Sequence, residues 1–192
     1  MGSRYLYSLV LAVAVGVSSC ATVVSNTTGD EAVGTNKSKR TLGRYIDDQL
    51  IDTYVTANIK KAHEDFKVAN YEVVSYNGIV LLVGQVKSQE LSGLAEEAAR
   101  KVRNVRRVHN ELVVAGPISI PARANDSWLK SKIKSRMLST EGVNPMRVKV
   151  VMSGGVVYLM GLVSQIEAER AVAVAHKTYG VQKIVKVFEY LD

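Results

Sequence analysis

Gly78-Ile79-Val80-Leu81-Leu82-Val83-Gly84-Gln85-Val86 and Gly155-Val156-Val157-Tyr158-Leu159-Met160-Gly161-Leu162-Val163 share one pattern, G-x-V-x-L-x-G-x-V, at an offset of 77 residues. Self-similarity at a fixed period marks a duplicated structural unit. Upstream, Asp48, Ile51, Val55 and Ile59 match Asp126, Leu129, Ile133 and Met137; downstream, Val105, Val108 and Leu112 match Val181, Ile184 and Phe188. The offset drifts by one residue either way, which places small insertions in loops. Two units of about 70 residues, a length within reach of a small single domain, flank the connector Gly116-Pro-Ile-Ser-Ile-Pro121.

Each unit reads helix, strand, strand, helix, strand. Apolar residues recurring every fourth position (Ile51, Val55, Ile59; Leu129, Ile133, Met137) predict an amphipathic first helix. Tyr71, Val73 and Ser75, and then Val148, Val150 and Met152, alternate with period two. Asn77-Gly78 and Ser153-Gly154-Gly155 follow as hairpin turns. The next strands, 80–86 and 157–163, are apolar almost throughout, which predicts burial on both faces. Segments 88–103 and 165–179 read as Ala- and Glu-rich helices, and 105–114 and 181–190 as closing strands. A helix between the second and third strands makes that pair parallel and the sheet mixed. The expected fold is therefore α+β: two tandem small αββαβ sandwiches, each a three-stranded mixed sheet covered by two helices.

The chain has 192 residues, 47% hydrophobic and 22% charged, which is globular composition. Its single cysteine excludes an intramolecular disulfide and a multi-cysteine metal site, and the three scattered histidines have no metal-ligand spacing. No metal and no cofactor is expected. At the N-terminus, Arg4, an apolar run from Leu6 to Val17 and the small residues before Cys20 read as a secretory signal. The run is shorter than the roughly 20 residues of a membrane-spanning helix. Val17-Ser18-Ser19-Cys20 resembles a bacterial lipobox, which implies cleavage before Cys20 and acylation of it; the alternative is an ordinary signal peptide with an incidental cysteine. Ala21 after the cysteine favours the outer membrane by the same resemblance. The expected boundaries are a signal over 1–19, lipidated Cys20 and a tether over 20–45, a first domain over 46–115, a linker over 116–123 and a second domain over 124–192. The tether, about 24 residues of flexible coil, would span roughly 25–30 Å.

The duplicated motif, with matching helices and V-x-x-V ahead of the last strand, resembles BON domains. Together with the lipobox, the chain is similar to the dual-BON-domain outer-membrane lipoproteins of Gram-negative bacteria, the DolP (YraP) type. That resemblance implies envelope maintenance through phospholipid binding, enrichment at the division site and no catalysis. It also implies that lipid binding centres on the first helix of the second domain.

The residues themselves point the same way. Net charge is +7, and loss of Arg4 with the signal leaves +6. An exported protein rarely meets chromosomal DNA, so an anionic lipid (phosphatidylglycerol, cardiolipin), an envelope polymer or an acidic protein is the expected partner, with no nucleic acid and no small-molecule substrate. From Asp47 to Asp65 the first copy carries −3; from Arg123 to Lys149 the second carries +5. At about 1 kcal/mol per basic residue near an anionic surface, that difference selects the second copy for docking. At 100° per residue, Trp128 lies about 140° from the core stripe, among Ser131, Ser135 and Leu138, with Lys130, Lys132, Lys134 and Arg136 around it. An indole there suits a headgroup boundary; the alternative is that Trp128 packs on the other domain or on the Pro121 connector. A second function remains open, an adaptor for an envelope assembly machine, in which strand edges or the acidic Asp47, Asp48 and Asp52 hold a protein partner.

Enzymatic signals are missing. No G-x-S-x-G turn exists. His176 reads as a partly buried helix residue, and Glu96, Glu97, Glu167 and Glu169 as solvated helix-face charges. Ser153-Gly154-Gly155 opens no helix and so lacks phosphate-loop geometry. Gly84 and Gly161 read as points of close backbone packing.

Overall fold

A computed structural model describes residues 41–191. The expected signal peptide, Cys20 and the expected tether up to residue 40 lie outside the described residues. The described residues form one compact unit. Its elements run α1 (Leu42–Ala62), β1 (Asn70–Tyr76), β2 (Ile79–Val86), α2 (Gln89–Arg100), β3 (Arg107–Val114), α3 (Ile120–Leu138), β4 (Val148–Ser153), β5 (Val156–Val163), α4 (Gln165–His176) and β6 (Lys183–Tyr190), with a 3-10 turn at Glu64–Lys67.

The first helix of each copy starts earlier than its apolar period indicates. Thr41 caps α1, its hydroxyl accepting the Arg44 N–H at 3.2 Å. Ser119 caps α3 in the same way from Ala122, and Pro121 sits in the first turn, where its missing N–H costs nothing. Helix therefore occupies part of the stretches read as tether and linker. Both opening turns are exposed, so the core stripe carries no sign of them.

Each sheet has the order hairpin strand, central strand, crossover strand: β1-β2-β3 and β4-β5-β6. β1 is antiparallel to β2 (Val73 opposite Leu82), and β3 is parallel to it (Val80 opposite Val108). The second copy repeats this arrangement with Val150 opposite Leu159 and Val157 opposite Ile184. Each hairpin turn is held by the first helix of its own copy. The Asp48 carboxylate accepts the N–H groups of Asn77 (2.8 Å) and Gly78 (2.9 Å). Asp126 does the same for Gly154 (2.7 Å) and Gly155 (2.9 Å). Asn77 and Gly78 have φ of 52° and 75°, the backbone a two-residue hairpin requires.

All eight residues of β2 are buried. On one face, Val80, Leu82 and Val86 pack with Ile51, Val55, Ile59, Ala95 and Ala99 beneath α1 and α2. On the other, Ile79, Leu81 and Val83 meet Val151, Tyr158, Met160 and Val187 of the second sheet. The second copy has its own helix-side core around Leu129, Ile133, Met137 and Leu159. The two αββαβ sandwiches thus stand sheet against sheet, giving four layers in the order helix, sheet, sheet, helix. Polar contacts flank the seam: Arg106 and Asn77 both bond the Glu189 carboxylate, and Lys149 Nζ donates to the Ser75 carbonyl at 3.2 Å.

Gly84 and Gly161 are points of close approach. A Cβ at Gly84 would lie 2.2 Å from the Asn70 carbonyl oxygen, and one at Gly161 2.3 Å from that of Arg147.

Candidate functional site

Leu129, Ile133 and Met137 turn inward along α3, so the opposite side of the helix faces solvent. Trp128 stands there 55% exposed and belongs to none of the three cores. Lys132 Nζ lies 4.4 Å from the centre of its ring, within cation–π range. Ser131, Lys134, Ser135 and Leu138 are exposed on the same side of the helix. Leu138 is 73% exposed, as is Ile120 at the other end. Ile120 lies two turns ahead of Trp128 and extends the apolar strip. Its signal was present in the sequence, but assigning residues 116–123 to a linker hid it.

Two residues of the expected set point elsewhere. Lys130 turns into a cleft between the domains, with Nζ 4.0 Å from the Glu72 carboxylate. Arg136 reaches back across its own domain to the C-terminal end of α4, donating to the Lys177 carbonyl at 2.7 Å and to Thr178 Oγ1 at 3.4 Å. Both belong on the flank of α3. Two further bases counted in the +5 are also engaged within the protein: Arg147 pairs with Glu167 at 3.1 Å, and Lys149 bonds Ser75. Arg123 lines the same cleft as Lys130, so Lys132 and Lys134 remain as the cations beside Trp128. At about 1 kcal/mol each near an anionic surface, they would supply roughly 2 kcal/mol of attraction rather than the five that net charge suggests.

The acidity of α1 is likewise turned inward. Asp48 is 1% exposed and fully engaged in the hairpin turn, with its own carbonyl accepting the Ser75 hydroxyl at 2.6 Å. Asp52 is half-buried, and one of its oxygens, Oδ1, has no hydrogen-bond partner among the described residues. Burial pushes its carboxyl pKa up, partly opposed by Ser75 and Lys149. Of the three aspartates proposed as a protein-binding surface, only Asp47 is both partly exposed and outside the fold's internal bonding. The exposed side of α1 is instead apolar: Leu42, Ile46, Leu50 and Tyr54 lie four residues apart.

Other sequence readings change as well. His176 is exposed rather than partly buried. Glu96 bonds Arg100 and Asn110, and Glu167 forms the capping box of α4 besides its pair with Arg147, so neither is merely solvated. The amides of the Gly154-Gly155 turn already serve Asp126.

The BON domain family profile matches this chain twice, over residues 47–116 and 125–192. The chain is 39% identical over 153 residues to outer membrane lipoprotein DolP of Haemophilus influenzae, covering 80% of this chain and 79% of that protein. It is 34% identical over the same shares to a 21 kDa hemolysin of Actinobacillus pleuropneumoniae. It is 31% identical to the osmotically-inducible protein Y of Escherichia coli, over 95% of this chain and 92% of that one.

Proposed function

The chain belongs to the BON-domain family, among the dual-domain outer-membrane lipoproteins of the DolP type, and from that premise we propose that its second domain docks on anionic phospholipid through α3. The observation that carries this reading is the half-exposed Trp128 under Lys132, on a helix face that also presents Ile120 and Leu138. The indole and the two aliphatic side chains enter the headgroup boundary, while Lys132 and Lys134 meet phosphate. Covering the exposed half of the indole, on the order of 100 Å² of apolar surface, contributes about 2–3 kcal/mol. With roughly 2 kcal/mol from the two lysines, neither contribution alone gives lasting attachment. The acylated Cys20 supplies the anchor, and α3 sets how the body lies on the leaflet. Facing the periplasm from the outer membrane, such a protein supports envelope integrity without catalysis, with anionic lipid concentrating it at the division site.

Vesicle co-sedimentation of residues 21–192 tests this, wild type beside Trp128→Glu, with and without phosphatidylglycerol or cardiolipin. Binding to anionic vesicles alone, weakened by salt and lost in the variant with its fold intact, is the expected result. No binding by either protein sinks the reading. A second reading, an adaptor for outer-membrane assembly proteins, is favoured by the exposed Leu42, Ile46, Leu50 and Tyr54 of α1. It predicts that Leu50→Asp abolishes recovery of a protein partner while Trp128→Glu leaves it intact.

A further inference from the structure

The duplicated fold permits each place in one domain to be compared with its counterpart in the other, and one pair differs in chemistry. Counting from the helix caps Ser88 and Ser164, Ser92 corresponds to Ala168, Glu96 to Val172, Arg100 to His176 and Asn110 to Lys186. In the first domain these residues close on each other. Asn110 Nδ2 donates to the Ser92 carbonyl (3.0 Å), the Ser92 hydroxyl (3.0 Å) and the Glu96 carboxylate (3.2 Å). Arg100 holds the same carboxylate from the next turn of the helix, Nε to Oε1 at 3.0 Å. The junction of α2 with β3 is sealed by one carboxylate and its donors.

In the second domain that carboxylate is missing and its donors are not. A groove of about 370 Å³ opens between α4 and β6, with Ala168, Val172 and Ala173 among the residues that line it. His176 and Lys177 at the end of α4, and Lys186 from β6, line it too. Neither lysine makes an ion pair among the described residues. The carbonyl end of the helix is already served by Arg136 on Lys177 O, so the Lys177 ammonium is not committed to it. Farther along, Gln165 and Tyr190 line the groove, and Glu169 is held by the Gln165 amide at 3.0 Å. Among the described residues β6 pairs only with β5, and none of their strands covers this edge.

We propose that this groove binds an anionic amphiphile with a single aliphatic chain, whose headgroup takes the place that the Glu96 carboxylate fills in the first domain. The headgroup lies among Lys186, Lys177 and the His176 imidazole, and the chain runs over Ala168, Val172 and Ala173 toward Tyr190. The volume falls within the range of small-ligand sites, which are mostly apolar with a few placed polar groups. A carboxylate and a phosphate share the required chemistry, so a fatty acid and a single-chain phospholipid are the two sources. The site is separate from the outward face of α3 and does not rest on vesicle docking.

The test is calorimetric titration of residues 21–192, below micelle-forming concentration, with laurate, with lauroyl lysophosphatidylglycerol and with dodecanol. One equivalent of laurate or of the lysophospholipid binds at least tenfold more tightly than dodecanol, and the tighter of the two identifies the source. Val172→Glu, which restores the first domain's carboxylate, and Lys186→Glu each weaken binding at least tenfold, and Lys186→Glu, at an exposed position, does so with unchanged circular dichroism and melting. Trp128→Glu leaves it unchanged. Equal binding of dodecanol overturns the proposal, as does anion binding that survives both groove variants or disappears with Trp128→Glu.

Discussion

Replacing Asp126 by Ala removes a carboxylate that accepts two backbone N–H groups of the β4–β5 turn, from Gly154 at 2.7 Å and from Gly155 at 2.9 Å. Hydrogen bonds to a charged acceptor contribute about 1.5–3 kcal/mol each, and a buried donor left alone incurs its full desolvation cost. Gly155 is buried, whereas Gly154 is exposed and can rehydrate, so the expected loss lies near the lower sum, about 3–4 kcal/mol. That is a large part of the 5–15 kcal/mol typical of a whole domain. Asp126→Asn keeps one acceptor oxygen and turns an amide N–H toward the other donor, so it falls between wild type and Asp126→Ala. Urea unfolding of residues 21–192, followed by circular dichroism, measures both. A loss under about 1 kcal/mol for Asp126→Ala, or equal losses for the two variants, would refute the reasoning. Asp48→Ala is the sharper case, because Asp48 is more deeply buried and also positions the carbonyl that holds Ser75. A charge reversal there would abolish partner capture by unfolding the first domain, whatever surface the partner uses.

Three further outcomes follow from the same geometry. Asp52→Asn raises the melting temperature at pH 7: burial raises the folded carboxyl pKa above its unfolded value, so ionisation on going from acid to neutral pH destabilises the fold, and wild type and variant converge at acid pH. Glu189 behaves oppositely, since the Arg106 guanidinium holds its pKa below the usual value; the gap in stability between wild type and Glu189→Gln, read from melts across a pH series, is present at neutral pH and closes as pH falls through that lowered pKa. Gly93→Ala gains up to about 1 kcal/mol, because Gly93 is mid-helix with open space where a Cβ would go, whereas Gly161→Ala loses at least about 2 kcal/mol from backbone overlap, both read by denaturant midpoint.

The sequence carried the elements because each of them has a periodic apolar face. Ile51, Val55 and Ile59 mark a buried helix stripe by spacing alone, and the apolar β2 announces burial on both sides. Nothing in one strand says what covers its second face; that required the matching face of the other copy. Charge was the least legible quantity. Lys130, Arg136, Arg147 and Lys149 count toward +5 in the sequence and then spend themselves on Glu72, Lys177, Glu167 and Ser75. The inward turn of Asp48 did leave a trace: it stands three residues before Ile51, on the core stripe, and its repeat partner Asp126 stands three before Leu129. An acid kept at the same core-facing place in both copies indicates an internal bond rather than a surface.

The seam between the sheets is built from equivalent positions: Val74 and Val151, Leu81 and Tyr158, Val83 and Met160 all lie in one cluster. In effect the two copies meet through like surfaces, as the subunits of a dimer do, within a single polypeptide. Either half cut free would expose the apolar face that the other now covers. The few residues between β3 and α3 make the association intramolecular at high effective concentration. Two chains whose connectors opened could trade halves through the same surface, each seam rebuilt from one half of either chain.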